Sequence, residues 1–205
     1  MCGSGALPRL TGRSPVTTHS LSGQRSCYPP RVMETLSYVR TSSPVGPLFL
    51  AASTKGLVRL EFEARMQKLN PGTTELQESK PALAPYLREL SEYFAGERRE
   101  FSLPLDLRGT GFQLACWHAL LEIPYGETRS YRDIAQAIGH PHAYRAVGMS
   151  NNRNPVAIVV PCHRVIASSG SLCGYGGGLD IKRKLLDLEQ TSLRLHPCLP
   201  LGIGA

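Results

Sequence analysis

The stretch NPVAIVVPCHRVI, residues 154–166, carries the most information in this sequence. Five consecutive apolar residues, 156–160, are rich in Val and Ile and lie between two prolines, which predicts a buried strand. Pro161 interrupts the backbone directly before a cysteine, so the strand would deliver Cys162 into a rigid turn. A thiol becomes a good nucleophile when its neighbours favour the thiolate, and His163 is the nearest candidate. An inert buried cysteine is the alternative interpretation.

Two short helices are predicted just upstream of this stretch. Ser130 is placed to cap the first helix with Asp133 as its capping-box partner, and Gly139 ends it. Pro141 suits the first turn of a second helix that continues to about Ser150. Two short helices joined by a Gly-containing turn predict a helix-turn-helix, although helical hairpins that never touch DNA share this outline.

The N-terminal half has a different pattern. Residues 36–62 contain three short apolar stretches separated by turn signals, which predicts a strand meander. Residues 64–80 are polar and are predicted to form a loop. Apolar residues then recur at helical spacing and predict a helix that stops at Gly96; they are Leu83, Leu87, Leu90 and Phe94.

These patterns predict an α+β protein. A small N-terminal domain, residues 33–104, would contain the strand meander and a helix, with no visible chemistry. A mostly helical domain, residues 105–191, would begin with a helix capped by Thr110 and would contain the helix-turn-helix and the active-site cysteine. Residues 1–32, rich in Gly, Ser and Pro, are predicted to be a disordered leader, and residues 192–205 a tail. Met33 is a second candidate start of translation.

The charge and the cysteine content of the sequence indicate what kind of partner the protein binds and in which cellular compartment it works. The 205 residues include 23 Lys and Arg against 16 Asp and Glu, a net charge of +7, which favours a polyanionic partner or a merely soluble basic protein. The six cysteines form no CxxC pair and have no zinc-ligand spacing. Without a signal peptide or an apolar stretch of membrane-spanning length, the sequence predicts a reducing cytoplasmic compartment and no membrane.

The run PCHRV, residues 161–165, resembles the signature of the O6-alkylguanine-DNA alkyltransferases, the methylated-DNA–protein-cysteine methyltransferases. The resemblance covers residues 35–190 and is strongest over 110–189. Its other blocks stand in the family's order: IPYGET at 123–128, YRAVG at 144–148, GYGGGL at 174–179 and KLLDLE at 184–189.

The resemblance implies catalytic roles for Cys162, His163, Glu189, Tyr131 and Asn154, and a DNA-binding role for Arg145. Cys162 would accept the alkyl group, His163 would deprotonate it through a water, and Glu189 would orient the imidazole, as in catalytic triads. Tyr131 would donate a hydrogen bond or proton to guanine N3, assisting the leaving group. Arg145 would enter the base stack when the damaged nucleotide rotates out of the duplex.

The same resemblance implies a set of positioning and base-binding residues. Asn154 would tie the segment entering the active site to the preceding helix. The main-chain carbonyls of Cys162 and Val165 would accept from the guanine amino group. Tyr175 would pack on the base, and the amide of Gly176 would donate to O6.

Contact with the minor groove is expected from small residues on the second helix of the helix-turn-helix: Ala143, Ala146 and Gly148. Tyr144 departs from this pattern, since some members have a small residue there. Some relatives also hold zinc in the N-terminal domain, but Cys2, Cys27 and His19 lie in the predicted leader without that arrangement. We therefore expect no metal and no other cofactor.

The resulting expectation is DNA repair by direct reversal in one irreversible turnover. The partner would be double-stranded DNA containing O6-alkylguanine, with O4-alkylthymine as a further candidate substrate. A monomer would suffice, in the cytoplasm, at the nucleoid of a bacterium or in the nucleus of a eukaryote. Two alternatives remain. A protein that binds the lesion without repairing it would not need Cys162, and a cysteine hydrolase would not need Tyr131.

Overall fold

Apolar stretches separated by turns form three of the strands. The computed structural model describes residues 34–65 and 74–197. In it β1 (Glu34–Thr41), β2 (Leu48–Ala52) and β3 (Leu57–Phe62) form an antiparallel meander, as predicted. All five residues of the central strand β2 are buried, because β2 has a neighbour on each side and both of its faces pack in apolar clusters. The predicted leader and residues 198–205 lie outside the described residues.

The turn between β2 and β3 depends on Gly56. This residue has φ +154°, and a Cβ atom built there would lie 2.5 Å from the carbonyl oxygen of Pro104. The same carbonyl accepts a hydrogen bond from the amide of Leu57 at 2.9 Å. Any side chain at position 56 would therefore push the hairpin away from the segment that leads to the helices.

A fourth strand, β4 (Thr74–Glu78), lies where a loop was predicted. It pairs with β1 in parallel and completes a sheet of order β3-β2-β1-β4. Its side chains are mostly exposed, so the sequence carries no apolar alternation that would reveal it. The prediction was wrong for these residues, because an edge strand needs only backbone hydrogen bonds to one neighbour.

Two longer helices follow the sheet and were both predicted. α1 (Lys80–Phe94) packs on β1 and β2 and buries Leu83, Leu90 and Tyr93, and Gly96 follows its end with φ +76°. α2 (Gly111–Leu121) begins with a capping box at Thr110.

The helix-turn-helix is present, with a later start to its second helix than expected. β5 (Arg129–Ser130) leads into α3 (Tyr131–Ala137), and the predicted capping box at Ser130 forms. α4 (Tyr144–Asn152) begins at Tyr144, because Pro141 and His142 belong to the turn between the two helices. The indole nitrogen of Trp117 on α2 donates to the carbonyl of Ser150 at 3.0 Å and fixes α4 on α2.

The Val/Ile run before Cys162 is buried, but it is a tight turn and not the predicted strand. Ile158 has φ +73°, a left-handed conformation that is unfavourable for a β-branched residue. The turn is anchored to β3, since Leu60 donates to the carbonyl of Pro155 and accepts from the amide of Ala157, both at 2.8 Å. Complete burial of the Ile158 side chain offsets the strain.

The chain then passes through a short 3-10 helix, Cys162–Arg164, into β6 (Val165–Ile166), which pairs with β5 in parallel. The last helix, α5 (Leu179–Leu195), continues beyond residue 191, where the tail was predicted to start. Among the described helices, none combines the length and the apolarity needed to cross a membrane.

Candidate active site

Cys162 lies at the start of the 3-10 helix and faces a cavity of about 110 Å³. Only 6% of the residue is exposed, so the thiol is reached through this cavity and not from the open surface. We call the residues that line it the cavity wall: Glu61, Phe62, Asn151, Asn152, Asn154, Ala157, Cys162, Tyr175 and Gly176.

The Cys162 thiol is neutral in the free protein. Burial raises its pKa, and this effect outweighs the hydrogen bond from Asn154 and the charge of Lys182, which both act in the opposite direction. Proton removal must accompany the reaction, which requires a base next to the thiol.

The side chain of Asn154 binds groups on both sides of the turn that leads to Cys162. Its amide nitrogen donates to the carbonyl of Val160 at 2.8 Å and to Sγ of Cys162 at 3.1 Å. Its amide oxygen accepts from the backbone N–H of Val156 at 3.0 Å. One side chain thus holds both ends of the strained turn and contacts the sulfur.

His163 and Glu189 form a buried pair. Nε2 of His163 lies 2.8 Å from Oε1 of Glu189, and both residues are completely buried. Burial lowers the pKa of His163, so the imidazole is neutral, and it donates from Nε2 because the carboxylate can only accept. Nδ1 then carries the free lone pair, and this atom has no partner among the described residues.

Glu189 is the centre of a larger group, which we call the Glu189 cluster: Glu189, His163, Arg164, Tyr93 and Gly126. Arg164 donates from Nε and Nη2 to the carboxylate at 3.0 Å. The hydroxyl of Tyr93, on α1, and the backbone N–H of Gly126 each donate at 2.8 Å. Gly126 has φ +76°, a conformation that favours glycine.

The charge of Glu189 is strongly stabilised. Burial alone would raise its pKa, but the hydrogen bond from His163 and the contacts with Arg164 lower it to about 2. The carboxylate therefore stays ionised and fixes the tautomer and orientation of His163.

The residues expected to bind the base lie near this centre. Tyr175 and Gly176 belong to the cavity wall, and the Tyr175 ring packs against Phe62 with centroids 5.9 Å apart. Burial raises the pKa of Tyr131 to about 12, so its hydroxyl remains a donor.

Lys182 is a site residue that the sequence analysis missed. It is completely buried on α5, and its Nζ donates to the carbonyls of Val165 at 2.5 Å and Cys173 at 3.1 Å. The Val165 carbonyl was expected to accept from guanine. Helical spacing offered a signal, because the buried residues of α5 recur every three or four positions: Lys182, Leu185, Glu189 and Ser192.

Tyr93, Arg164 and Asn151 were also missed. Arg164 stands inside the quoted signature, yet nothing in the sequence pairs it with Glu189. Tyr93 follows the apolar spacing of α1 and is indistinguishable there from a core aromatic. Asn151 lies at the end of α4 with no neighbouring motif.

The helix α4 presents its first residues to solvent. Arg145 and Tyr144 are both exposed, and the Arg145 guanidinium lies 5.8 Å from the centre of the Tyr144 ring. Ala143, Ala146 and Gly148 are partly exposed, and the Tyr131 ring lies next to Gly148.

The fold and the site define a class: an α+β protein that joins a helix-turn-helix to a cavity lined by a buried cysteine. Residues 36–107 match the family described as 6-O-methylguanine DNA methyltransferase, ribonuclease-like domain, and residues 111–191 match the DNA binding domain of the same description.

Relatives and solved structures agree with this class. The chain is 51% identical over 152 residues to the methylated-DNA–protein-cysteine methyltransferase of Methanosarcina barkeri, covering 74% of this chain and 96% of the relative. It is equally identical over 156 residues to that of Mycobacterium bovis, covering 76% and 93%. The crystal structure of the Mycobacterium tuberculosis O6-methylguanine methyltransferase superposes with TM-score 0.70 at 48% identity, covering 77% and 94%.

The M. tuberculosis protein has also been solved in complex with DNA, and that structure matches with TM-score 0.68 at 46% identity, over 77% of this chain and 94% of that one. The chain belongs to the methylated-DNA–protein-cysteine methyltransferase family.

Proposed function

We propose that Cys162 is the acceptor of an alkyl group from O6 of guanine in double-stranded DNA. The family repairs DNA by alkyl transfer to a cysteine, and DNA is the partner of this chain. The observation that carries the assignment to Cys162 is its place on the cavity wall, next to a buried His163–Glu189 pair. Among the described cysteines, Cys116 and Cys173 lack such a setting.

The expected site residues have complementary roles in delivering the base. A base inside a duplex cannot reach a buried thiol, so the damaged nucleotide must rotate out of the stack. Arg145, exposed on α4, occupies the gap that it leaves. The small residues Ala143, Ala146 and Gly148 let α4 approach the minor groove.

The transfer step balances without a cofactor. As Sγ of Cys162 attacks the alkyl carbon, its proton passes through a water to Nδ1 of His163, and the bond between carbon and O6 breaks. Glu189 stabilises the imidazolium that forms. The electron pair stays on the purine, and the proton finally reaches guanine N1 through water.

The base-binding groups stabilise the departing purine. The raised pKa of Tyr131 makes it a hydrogen-bond donor to N3, without complete loss of its proton. The amide of Gly176 donates to O6, and the carbonyls of Cys162 and Val165 accept from the amino group. Tyr175 packs on the ring.

A single turnover follows from the product. The thioether formed at Cys162 has no ionisable proton and is a poor leaving group, so His163 cannot restore the thiol. We propose a monomer, because the described site draws every group from one chain, and a cytoplasmic, nucleoid or nuclear location where DNA is available.

The proposal is tested by stoichiometry. With excess O6-methylguanine duplex, repair should stop at one event per protein. Cys162→Ala should abolish repair and keep duplex binding, with Cys173→Ala as the matched cysteine control that still repairs. Continued turnover, or repair by Cys162→Ala, would overturn the proposal.

The role of Arg145 is tested by comparing two substrates. Arg145→Ala should slow repair of a duplex far more than reaction with the free base O6-methylguanine, which needs no nucleotide rotation. Arg132→Ala, an exposed arginine on α3, is the control for lost charge. Equal losses on both substrates would contradict the assignment.

A further inference from the structure

Asn151 has an unusual position on the cavity wall. It lies near the end of α4, only 8% of the residue is exposed, and its side chain lines the same cavity as Cys162. Neither its amide nitrogen nor its amide oxygen has a hydrogen-bond partner among the described residues. Asn154, three residues later, uses both of its amide atoms within the fold.

Burying an amide without partners is unfavourable, and an apolar side chain of similar size would remove the penalty. A polar side chain at this position is therefore unexplained by the folded protein alone. The cavity that it faces is the one that Cys162 also lines.

We infer that Asn151 is a base-reading residue whose amide N–H donates to a ring nitrogen of the everted purine. This inference rests on the proposed function and extends it. The groups already assigned would contact N3, O6 and the amino group. In an O6-alkylguanine, N1 and N7 remain as acceptors, and an asparagine amide can donate to either of them.

This assignment gives α4 two functions at its two ends. Arg145, in its first turn, would fill the space that the nucleotide leaves, and Asn151, in its last turn, would hold the base that left it. Because both groups belong to one short helix, insertion of the helix into DNA would place the cavity opposite the rotated base.

The test is Asn151→Leu, which keeps the volume and removes the hydrogen bond. Asn151→Leu should lower the second-order rate constant for O6-methylguanine duplex about tenfold, the effect of one lost hydrogen bond to substrate. Gln77→Leu, which removes an exposed amide on β4, is the control and should change nothing.

Modified bases identify the partner atom. Duplexes with 1-deaza- or 7-deaza-O6-methylguanine each lack one ring acceptor, and the 1-deaza base also lacks the N1 atom that takes the proton in the transfer step. With one of the two bases, the unmodified protein should show a slowing about tenfold greater than Asn151→Leu shows. That excess is expected for two coupled changes in one hydrogen bond. If each analogue slows Asn151→Leu as much as it slows the unmodified protein, the inference is wrong.

Folding is checked by thermal unfolding. Asn151→Leu should unfold at or above the temperature of the unmodified protein, because no internal hydrogen bond is lost. A lower unfolding temperature would mean that Asn151 has a structural partner and would overturn the inference. Failure of the unmodified protein to methylate Cys162 would instead contradict the proposed function, so the two failures are distinguishable.

Discussion

The Glu189 cluster and the cavity wall lie side by side but differ in how completely their polar groups are paired. The Glu189 carboxylate binds His163, Arg164, Tyr93 and Gly126 and has no unused capacity. On the cavity wall, both amide atoms of Asn151 and the hydroxyl of Tyr175 lack partners among the described residues, as does Nδ1 of the neighbouring His163. The groups whose hydrogen bonds are all formed hold the site in a fixed geometry. The groups without partners are those that we expect to bind the substrate. Changes in the cluster should therefore alter stability as well as rate.

The largest effect is expected for Glu189→Gln. This variant leaves the buried Arg164 cation without a counter-charge, which should cost about 3–5 kcal/mol in the free energy of unfolding. Urea unfolding provides the measurement. Asp187→Asn, an exposed carboxylate on the same helix, should change it by less than about 0.5 kcal/mol. Similar losses for the two variants would show that the cluster is not a framework.

Stability should also depend on pH through Glu189. Its pKa is about 2 in the folded protein against an ordinary value of 4.5, so the folded state binds this proton less readily than the unfolded state. The stabilisation is complete above pH 4.5 and is lost as the pH falls towards 2. The urea midpoint of the unmodified protein should fall more steeply in that window than that of Glu189→Gln. Parallel curves would assign the acid sensitivity to other groups.

Lys182 connects the two regions, and Lys182→Met should have an intermediate effect. The variant removes the donor to the Val165 carbonyl and the cation that lowers the pKa of Cys162. Methyl transfer should slow about tenfold. The pH at which iodoacetamide half-maximally labels the Cys162 peptide should rise. Lys184→Met, exposed one half-turn away, is the control. An unshifted labelling curve would exclude an electrostatic role.

The smallest effect is expected for Tyr93→Phe, which removes one hydroxyl from the Glu189 cluster and keeps the ring. The loss of one hydrogen bond should cost about 0.5–1.5 kcal/mol. Glu189 would then accept more strongly from His163 and raise the imidazole pKa. The rising limb of the pH–rate profile should therefore move to higher pH. Tyr86→Phe, whose hydroxyl donates to a surface carbonyl, should leave the profile in place.

Local signals in the sequence predicted much of the fold. The predicted cap at Thr110 and the predicted capping box at Ser130 both formed, because each depends on residues three positions apart. The Val/Ile run was correctly predicted to be buried, but its turn at Ile158 was missed. Ile158 has a left-handed backbone conformation, which β-branched residues rarely adopt, so its local sequence does not indicate a turn. β4 was missed because an exposed edge strand has no apolar pattern.

The candidate site was predictable only in part. The resemblance supplied Cys162, His163 and Glu189, and in the structure His163, the residue after Cys162, lies 2.8 Å from the carboxylate of Glu189. The bond from Tyr93 to Glu189 joins residues 96 positions apart, and no periodicity could pair them. The predicted boundary between domains near residue 104 and the predicted substrate contacts stay predictions.

The central claim is that a neutral, buried thiol at position 162 accepts the alkyl group. Incubation with excess duplex carrying a carbon-13-labelled O6-methyl group, followed by peptide mass spectrometry, tests it most directly. We expect one labelled methyl per protein, located on the peptide that contains Cys162. A label on Cys116 or Cys173, or no covalent label after repair, would contradict it.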